Sequence, residues 1–250
     1  MALMRSSNPT LNDRTFETGR AVSPADAMTL NGAVNKTGFL LLLTVITAGW
    51  AWGRFNAAQN PAELTPYLLG GAIGGLVVAL VTVFKKEWSP VLAPAYALLE
   101  GVVVGLVSAM YELRFQGIVF QAAFLTFGIL FALLLAYRSG VIRATENFKL
   151  GVVAATGGIA LIYVAGMVLG FFGIRIPYIH ESGLIGIGFS LFVVVIASLN
   201  LVLDFDFIEK GVEHGAPRYM EWYAGFALLV TLIWLYFEIL RLLSKMRSRR

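Results

Sequence analysis

The sequence predicts an all-α, polytopic membrane protein, a bundle of seven transmembrane helices. Three observations carry that prediction. Charged residues make up only 14% of the chain and hydrophobic ones 58%, with a mean hydropathy of +0.77. A soluble domain carries about a quarter charged residues, so most of this surface meets lipid. Seven apolar stretches follow one another, each near the roughly 20 residues that cross a hydrocarbon core of about 30 Å. These runs are continuously apolar, whereas a transmembrane barrel needs alternating segments of about ten residues.

Residues 1–34 are polar and mixed, as in RSSNPTLNDRTFETGR. They lack the basic start, apolar run and small-residue cleavage site of a secretory signal, and read as a soluble tail that is partly helical at best. The membrane domain is expected over 35–245, with a basic tail over 246–250. Its spans are Thr37–Phe55, Pro66–Phe84, Val91–Tyr111, Gly117–Tyr137, Leu150–Phe172, Gly183–Ile208 and Trp222–Leu243. The connections are short: KKEWSP after the second, YRSGVIRATENFK after the fourth and EKGVEHGAPR after the sixth. Trp50, Trp52, Trp88, Tyr111, Tyr137, Trp222 and Tyr223 cluster near span ends, where aromatic rings settle at the headgroups. Pro94 and Pro177 read as lying at or near helix starts, where proline is tolerated.

Basic residues set the orientation. Arg5, Arg14, Arg20, Lys36, Lys85, Lys86, Arg138, Arg143, Lys149, Lys210 and Arg218 fall on the N-terminal side, and Arg54, Arg114 and Arg175 on the other. The positive-inside rule then puts the N-terminus in the cytoplasm. Arg241, Lys245, Arg247, Arg249 and Arg250 conflict with this. Either the last helix crosses and its tail emerges outside, or it enters and returns. The net charge of +4 thus reports topology, and no nucleic-acid partner is expected.

Small residues four apart, Gly70 with Gly74, Gly71 with Gly75, Gly101 with Gly105 and Gly166 with Gly170, mark faces where helix backbones approach closely. Such faces serve packing within one subunit first and dimerisation second.

Acidic residues interrupt the apolar runs: Glu100 in PAYALLEGVVVGLV, Asp204 and Asp206 in ASLNLVLDFDFIEKG, and Glu238 in LIWLYFEILRLL. A charge at bilayer depth costs at least about 2.5 kcal/mol, so these carboxyls face the bundle interior. A carboxyl there can alternate between a protonated, hydrogen-bonded form and an ionised form that holds a cation, the minimum equipment for proton-sensitive cation passage. A purely structural role is open to each. Asp206 and Glu238 lie close enough to helix ends to reach water, and Glu238 can pair with Arg241. Asn200, one turn before Asp204, is placed to hydrogen-bond it.

The run LVLDFDFIEKGVEHG resembles the sixth-helix signature of the Bax inhibitor-1 family, an aspartate late in helix six followed by a polar segment ending in His-Gly, here Asp204 and His214–Gly215. The starts NPTLNDRTFE and MTLNGAVNKTGFLLLL resemble a bacterial branch with a longer N-terminal tail. The resemblance implies a seventh helix surrounded by the other six, and a pH-sensitive calcium leak governed by aspartates on the sixth and seventh helices. Asp204 matches the first. Glu238, in Leu235–Tyr236–Phe237–Glu238, matches the context of the second with glutamate substituted, although its separation from Asp204 is longer; without a gap the match falls near Leu229. Glu100 is a rival partner. Asp204 and Glu238 would give calcium only a weak, transient contact, since it prefers several oxygens.

The expected function is therefore a calcium or cation leak in a bacterial inner membrane, gated by protonation. The alternative is a non-transporting regulator of a membrane protease or of stress and death responses, bound to a membrane partner. A secondary transporter fits less well, without an evident internal repeat. No enzyme is expected and no cofactor. There is no cysteine for thiol chemistry, His180–Glu181 lacks the second histidine of a zinc protease, and Gly188–Phe189–Ser190–Leu191 lacks the closing glycine of an intramembrane serine protease motif.

Overall fold

The computed structural model describes residues 26–173 and 183–249. The expected tail up to residue 25, Arg5, Arg14, Arg20, Arg175, Arg250, Pro177 and the His180–Glu181 pair lie outside the described residues. Seven helices long and apolar enough to cross a membrane are present: α1 (Leu30–Ala57), α2 (Thr65–Phe84), α3 (Ser89–Arg114), α4 (Ile118–Arg138), α5 (Glu146–Phe171), α6 (Leu184–Glu213) and α7 (Met220–Ser248). Short 3-10 turns at Pro61–Leu64 and Lys86–Trp88 lead into α2 and α3. The chain is an integral membrane protein of the expected class.

Several boundaries move for local reasons. Helix α1 starts at Leu30, inside the stretch read as tail, because the Thr29 side chain accepts from the Gly32 N–H and caps it. Helix α7 runs to Ser248, three residues into the expected basic tail. Its first turn carries Glu221 and its last Lys245 and Arg247, the charge order a helix dipole favours. It is one continuous helix of 29 residues, which removes the enter-and-return alternative. Pro94 lies inside α3 and not at its start: Ser89 begins the helix, so Pro94 falls in the second turn, where its missing N–H leaves the Pro90 carbonyl without its usual donor. Glycines with positive φ, Gly117 (75°) and Gly215 (62°), make the turn before α4 and the stop after α6.

Hydroxyls inside the apolar runs are satisfied locally. Thr37, Thr44, Thr82, Thr126 and Ser198 each donate to the carbonyl four residues earlier, so the helices carry them without an open donor. Burial sorts the helices: half of the apolar window of α7 is buried and 44% of those of α3 and α6, against 11–17% for α1, α2, α4 and α5. The last helix is thus the most enclosed of the seven.

The contacts divide the chain into two compact units. One comprises residues up to Leu113 together with Asp206–Val230; the other comprises Arg114–Phe205 and Thr231 onward. In the first, α1 and α3 touch through bare backbone. A Cβ on Gly101 would overlap Thr47 Oγ1, and one on Gly105 would overlap the Ala48 backbone. On α2 the close face is that of Gly71 and Gly75, whose Cβ atoms would lie 2.9 Å from Val103 Cγ2 and from Glu100 Oε2. Gly74 would meet Leu99 at an ordinary 3.4 Å, and Gly70 faces open space among the described residues. The Gly71–Gly75 face is turned toward α3 and the neighbouring one is not, which spacing by itself does not decide. Residues 26–28 lie beside 216–218 in an antiparallel bridge: Met28 N donates to Ala216 O (2.6 Å) and Arg218 N to Asp26 O (2.8 Å). Around it pack Met28, Phe207, Ile208, Met220 and Tyr223. In the second unit, Ile159, Val193 and Ile196 form a buried cluster flanked by Tyr163, Phe189 and Trp234.

Candidate functional site

The acidic residues of the spans have four different environments. Glu238 is 2% exposed and fully engaged. Arg241, one turn on, donates Nη1 to both its oxygens at 3.0 and 3.1 Å. Tyr163 on α5 donates its hydroxyl to Glu238 Oε1 at 3.0 Å and accepts from Arg241 Nη1 at 2.6 Å, with the guanidinium 5.1 Å from the ring centroid. This is the pairing with Arg241 that the sequence allowed. Beyond it, Lys245 is buried and donates Nζ to Ser190 Oγ (2.9 Å) and Gly186 O (3.0 Å) on α6. Arg247 donates to Gln116 O and Gln121 Oε1. The basic end of α7 that conflicted with the charge rule is therefore bonded into the protein through Arg241, Lys245 and Arg247.

Asp206 makes an ion pair with Lys210 one turn later, 3.4 Å apart and partly exposed. Glu100 is half-buried on α3 beside Gly75 and near Tyr96, and makes no side-chain hydrogen bond or ion pair among the described residues.

Asp204 is different again. It is hydrogen-bonded to the Thr231 side chain of α7, and its Oδ2 is buried with no hydrogen-bond partner, the one such side-chain atom among the described residues. Asn200, expected as its partner, turns its amide N–H groups elsewhere, to Thr156 Oγ1 (2.8 Å) and Ile196 O (2.9 Å). Its amide oxygen has no donor among the described residues. Two oxygens without donors therefore stand one turn apart on one face of α6, with Cβ atoms about 6 Å apart by helix geometry.

The expected Asp204–Glu238 pair does not form a shared-proton dyad. Thr231 marks the level of Asp204 on α7, and Glu238 lies seven residues further along, about 10 Å by helical rise. Carboxyl oxygens share a proton only within roughly 3 Å. The partner of Asp204 is a hydroxyl standing near the level that the ungapped match assigns to the second carboxylate. Among the described residues no group of three or more metal-ligating side chains gathers.

One buried carboxylate escaped the sequence reading. Glu221, 2% exposed, opens α7 in a polar stretch that gave no sign of burial. It accepts from Thr29 N (3.0 Å) and Thr29 Oγ1 (2.9 Å), and Lys36 lies 3.5 Å away. Lys36 also sits 5.3 Å from the Trp222 ring centroid. Thr231, Tyr163 and Lys245 were likewise unmarked: a single hydroxyl, phenol or amine in an apolar run is as often incidental as functional.

A seven-helix membrane bundle with its last helix most buried, and an aspartate late in the sixth helix facing that last helix, defines a class of small polytopic membrane proteins. The family model described as Bax inhibitor 1 like matches residues 8–248, and the chain belongs to that family. Among curated proteins, none matches it.

Proposed function

We propose that this protein is a pH-sensitive cation leak, with calcium as a permeant ion and Asp204 as its proton-sensitive element. Family membership supports the class. The single observation that carries the mechanism is the buried, donor-less Oδ2 of Asp204. An ionised carboxylate with an uncompensated oxygen away from water is costly, by several kcal/mol. Either a proton or a cation at that oxygen removes the cost, so the two compete for one atom. With the proton on, Asp204 stays bonded to Thr231 and the passage is shut. With it off, the oxygens of Asp204 and Asn200 offer a passing cation two ligands. Calcium in a tight site takes six to eight oxygens, so this contact is transient and suits permeation. Flux therefore rises as pH rises.

Glu238, held by Arg241 and Tyr163, anchors the far end of α7. The role is non-enzymatic. The distribution of basic residues supports a cytoplasmic N-terminus, and the resemblance of the N-terminal stretches to a bacterial branch supports a bacterial inner membrane.

The test is reconstitution of the full chain into liposomes containing a calcium dye. The wild type should leak faster at higher pH, and Asp204→Asn should leak at a rate that no longer follows pH. An unchanged pH profile in Asp204→Asn would falsify the mechanism. A non-transporting regulator would show no flux at any pH, and deletion of its N-terminal tail should then abolish partner binding. That deletion should stop at residue 25, because Asp26–Thr29 is bonded to the 216–221 region.

A further inference from the structure

We infer that Thr156 on α5 is a positioning residue for the Asp204 site: its hydroxyl draws the Asn200 amide away from the carboxylate. That keeps the site open to a cation and leaves the amide oxygen as a second ligand. The inference rests on the reading of Asp204 as the cation-contacting carboxylate and deepens it.

Asn200 stands one turn before Asp204 on α6, and an amide and a carboxyl at that spacing are within reach of each other. Here the amide goes elsewhere. Its nitrogen carries two hydrogens and donates to Thr156 Oγ1 at 2.8 Å and to Ile196 O at 2.9 Å. With both hydrogens engaged, none remains for Asp204 Oδ2, which is buried without a hydrogen-bond partner. The Ile196 carbonyl lies one turn back along the same helix, on the side away from Asp204. A nitrogen turned toward it sets the amide oxygen on the side of the Asp204 turn. The Thr156 contact is the one that comes from another helix, 44 residues away in sequence. Thr37, Thr44, Thr82, Thr126 and Ser198 each donate to a carbonyl of their own helix, whereas Thr156 offers its oxygen as an acceptor to α6. All of Thr156, Ile196, Asn200 and Asp204 belong to the same compact unit.

A bare buried carboxylate oxygen is costly, and a bond from Asn200 would remove the cost. Without the Thr156 hydroxyl, one amide N–H loses its acceptor, and Asp204 Oδ2 is the open oxygen one turn away. The amide then turns and fills that oxygen with the protein's own donor. A hydrogen bond to an ionised carboxylate is about twice as strong as a neutral one, so the site is plugged. Thr156 holds it open.

The test uses the full chain in liposomes at one pH, that of fastest leak, with calcium as the permeant ion. Thr156→Val, of matching shape, should raise the calcium concentration that half-saturates the leak about tenfold, the equivalent of one charge-assisted bond. Thr156→Ser keeps the hydroxyl and should stay near wild type. Asn200→Leu should weaken the leak of the wild type by removing the second oxygen, yet restore the leak of Thr156→Val, because no amide is left to fill Asp204. A packing defect at position 156 would instead be made worse. A second measurement needs no flux: nuclear magnetic resonance of the protein in detergent, labelled with nitrogen-15 at asparagine. The Asn200 side-chain resonance, identified by its absence from Asn200→Leu, should move in Thr156→Val but not in Thr156→Ser. That movement should vanish when Asp204→Leu is added. A chain that shows these movements without leaking loses the leak function and keeps Thr156 as the residue that holds Asn200 off Asp204. A resonance unmoved in Thr156→Val, a movement that persists with Asp204→Leu, or an Asn200→Leu change that deepens the Thr156→Val defect overturns the role of Thr156 and leaves the leak to stand on Asp204→Asn.

Discussion

Glu238 and Asp204 are both carboxylates deep in apolar helices, and the protein treats them oppositely. Glu238 receives two bonds from Arg241 and one from Tyr163. Asp204 meets one hydroxyl and leaves an oxygen bare. Burial alone therefore does not make a carboxylate a sensor. A carboxylate with a full set of donors and a counter-ion is locked in place by its bonds. One with an open oxygen is where a proton or a cation changes the energy most. Glu221, at the other end of α7, repeats the locked pattern with Thr29 and Lys36.

The contrast can be broken at its strongest point first. Arg241→Ala strands the buried Glu238 and should destabilise the protein by about 3 kcal/mol, toward the lower end of the range for a broken buried pair because the guanidinium side chain is about a third exposed. Thermal unfolding in detergent measures it. A variant with both Glu238→Leu and Arg241→Met should recover most of the loss, since no lone charge remains. If Arg241→Ala unfolds no earlier than wild type, Glu238 is not locked and the distinction collapses.

Glu221→Ala should cost about 2 kcal/mol by leaving the Thr29 N–H and hydroxyl without an acceptor. It should also loosen the 26–29 segment, seen as faster hydrogen exchange at Met28 and Thr29. Tyr163→Phe removes one hydroxyl from a network that keeps its ion pair, so about 1 kcal/mol is expected, with no change in the pH response of flux. Asp204→Asn should have the smallest effect on unfolding, within about 1 kcal/mol, because no full set of bonds is lost. Yet it should have the largest effect on pH-dependent flux. An Asp204→Asn protein as unstable as Arg241→Ala would show that Asp204 is an anchor after all.

The number of spans, the membrane class and the family signature were legible in the chain, because lipid demands long apolar runs and tolerates few charges whatever the packing. The interruptions Glu100, Asp204, Asp206 and Glu238 were legible too, since a charge in such a run stands out. What each carboxylate does was not. Glu238 sits one turn from Arg241 in sequence, but its other donor, Tyr163, lies on another helix 75 residues away. Glu221 was hidden in a polar stretch, and only the fold brings Thr29 to it across 192 residues. Helical period could not choose between the Gly70–Gly74 and Gly71–Gly75 faces, because both repeat identically and only the position of α3 separates them. The same holds for the seventh helix. Its apolar length fixed that it could cross, while its rotation and depth decided that Thr231, not Glu238, faces Asp204. Composition determines what a segment must hide from water. Which donors reach a buried oxygen depends on where neighbouring helices stand, and that is set by packing across the whole bundle.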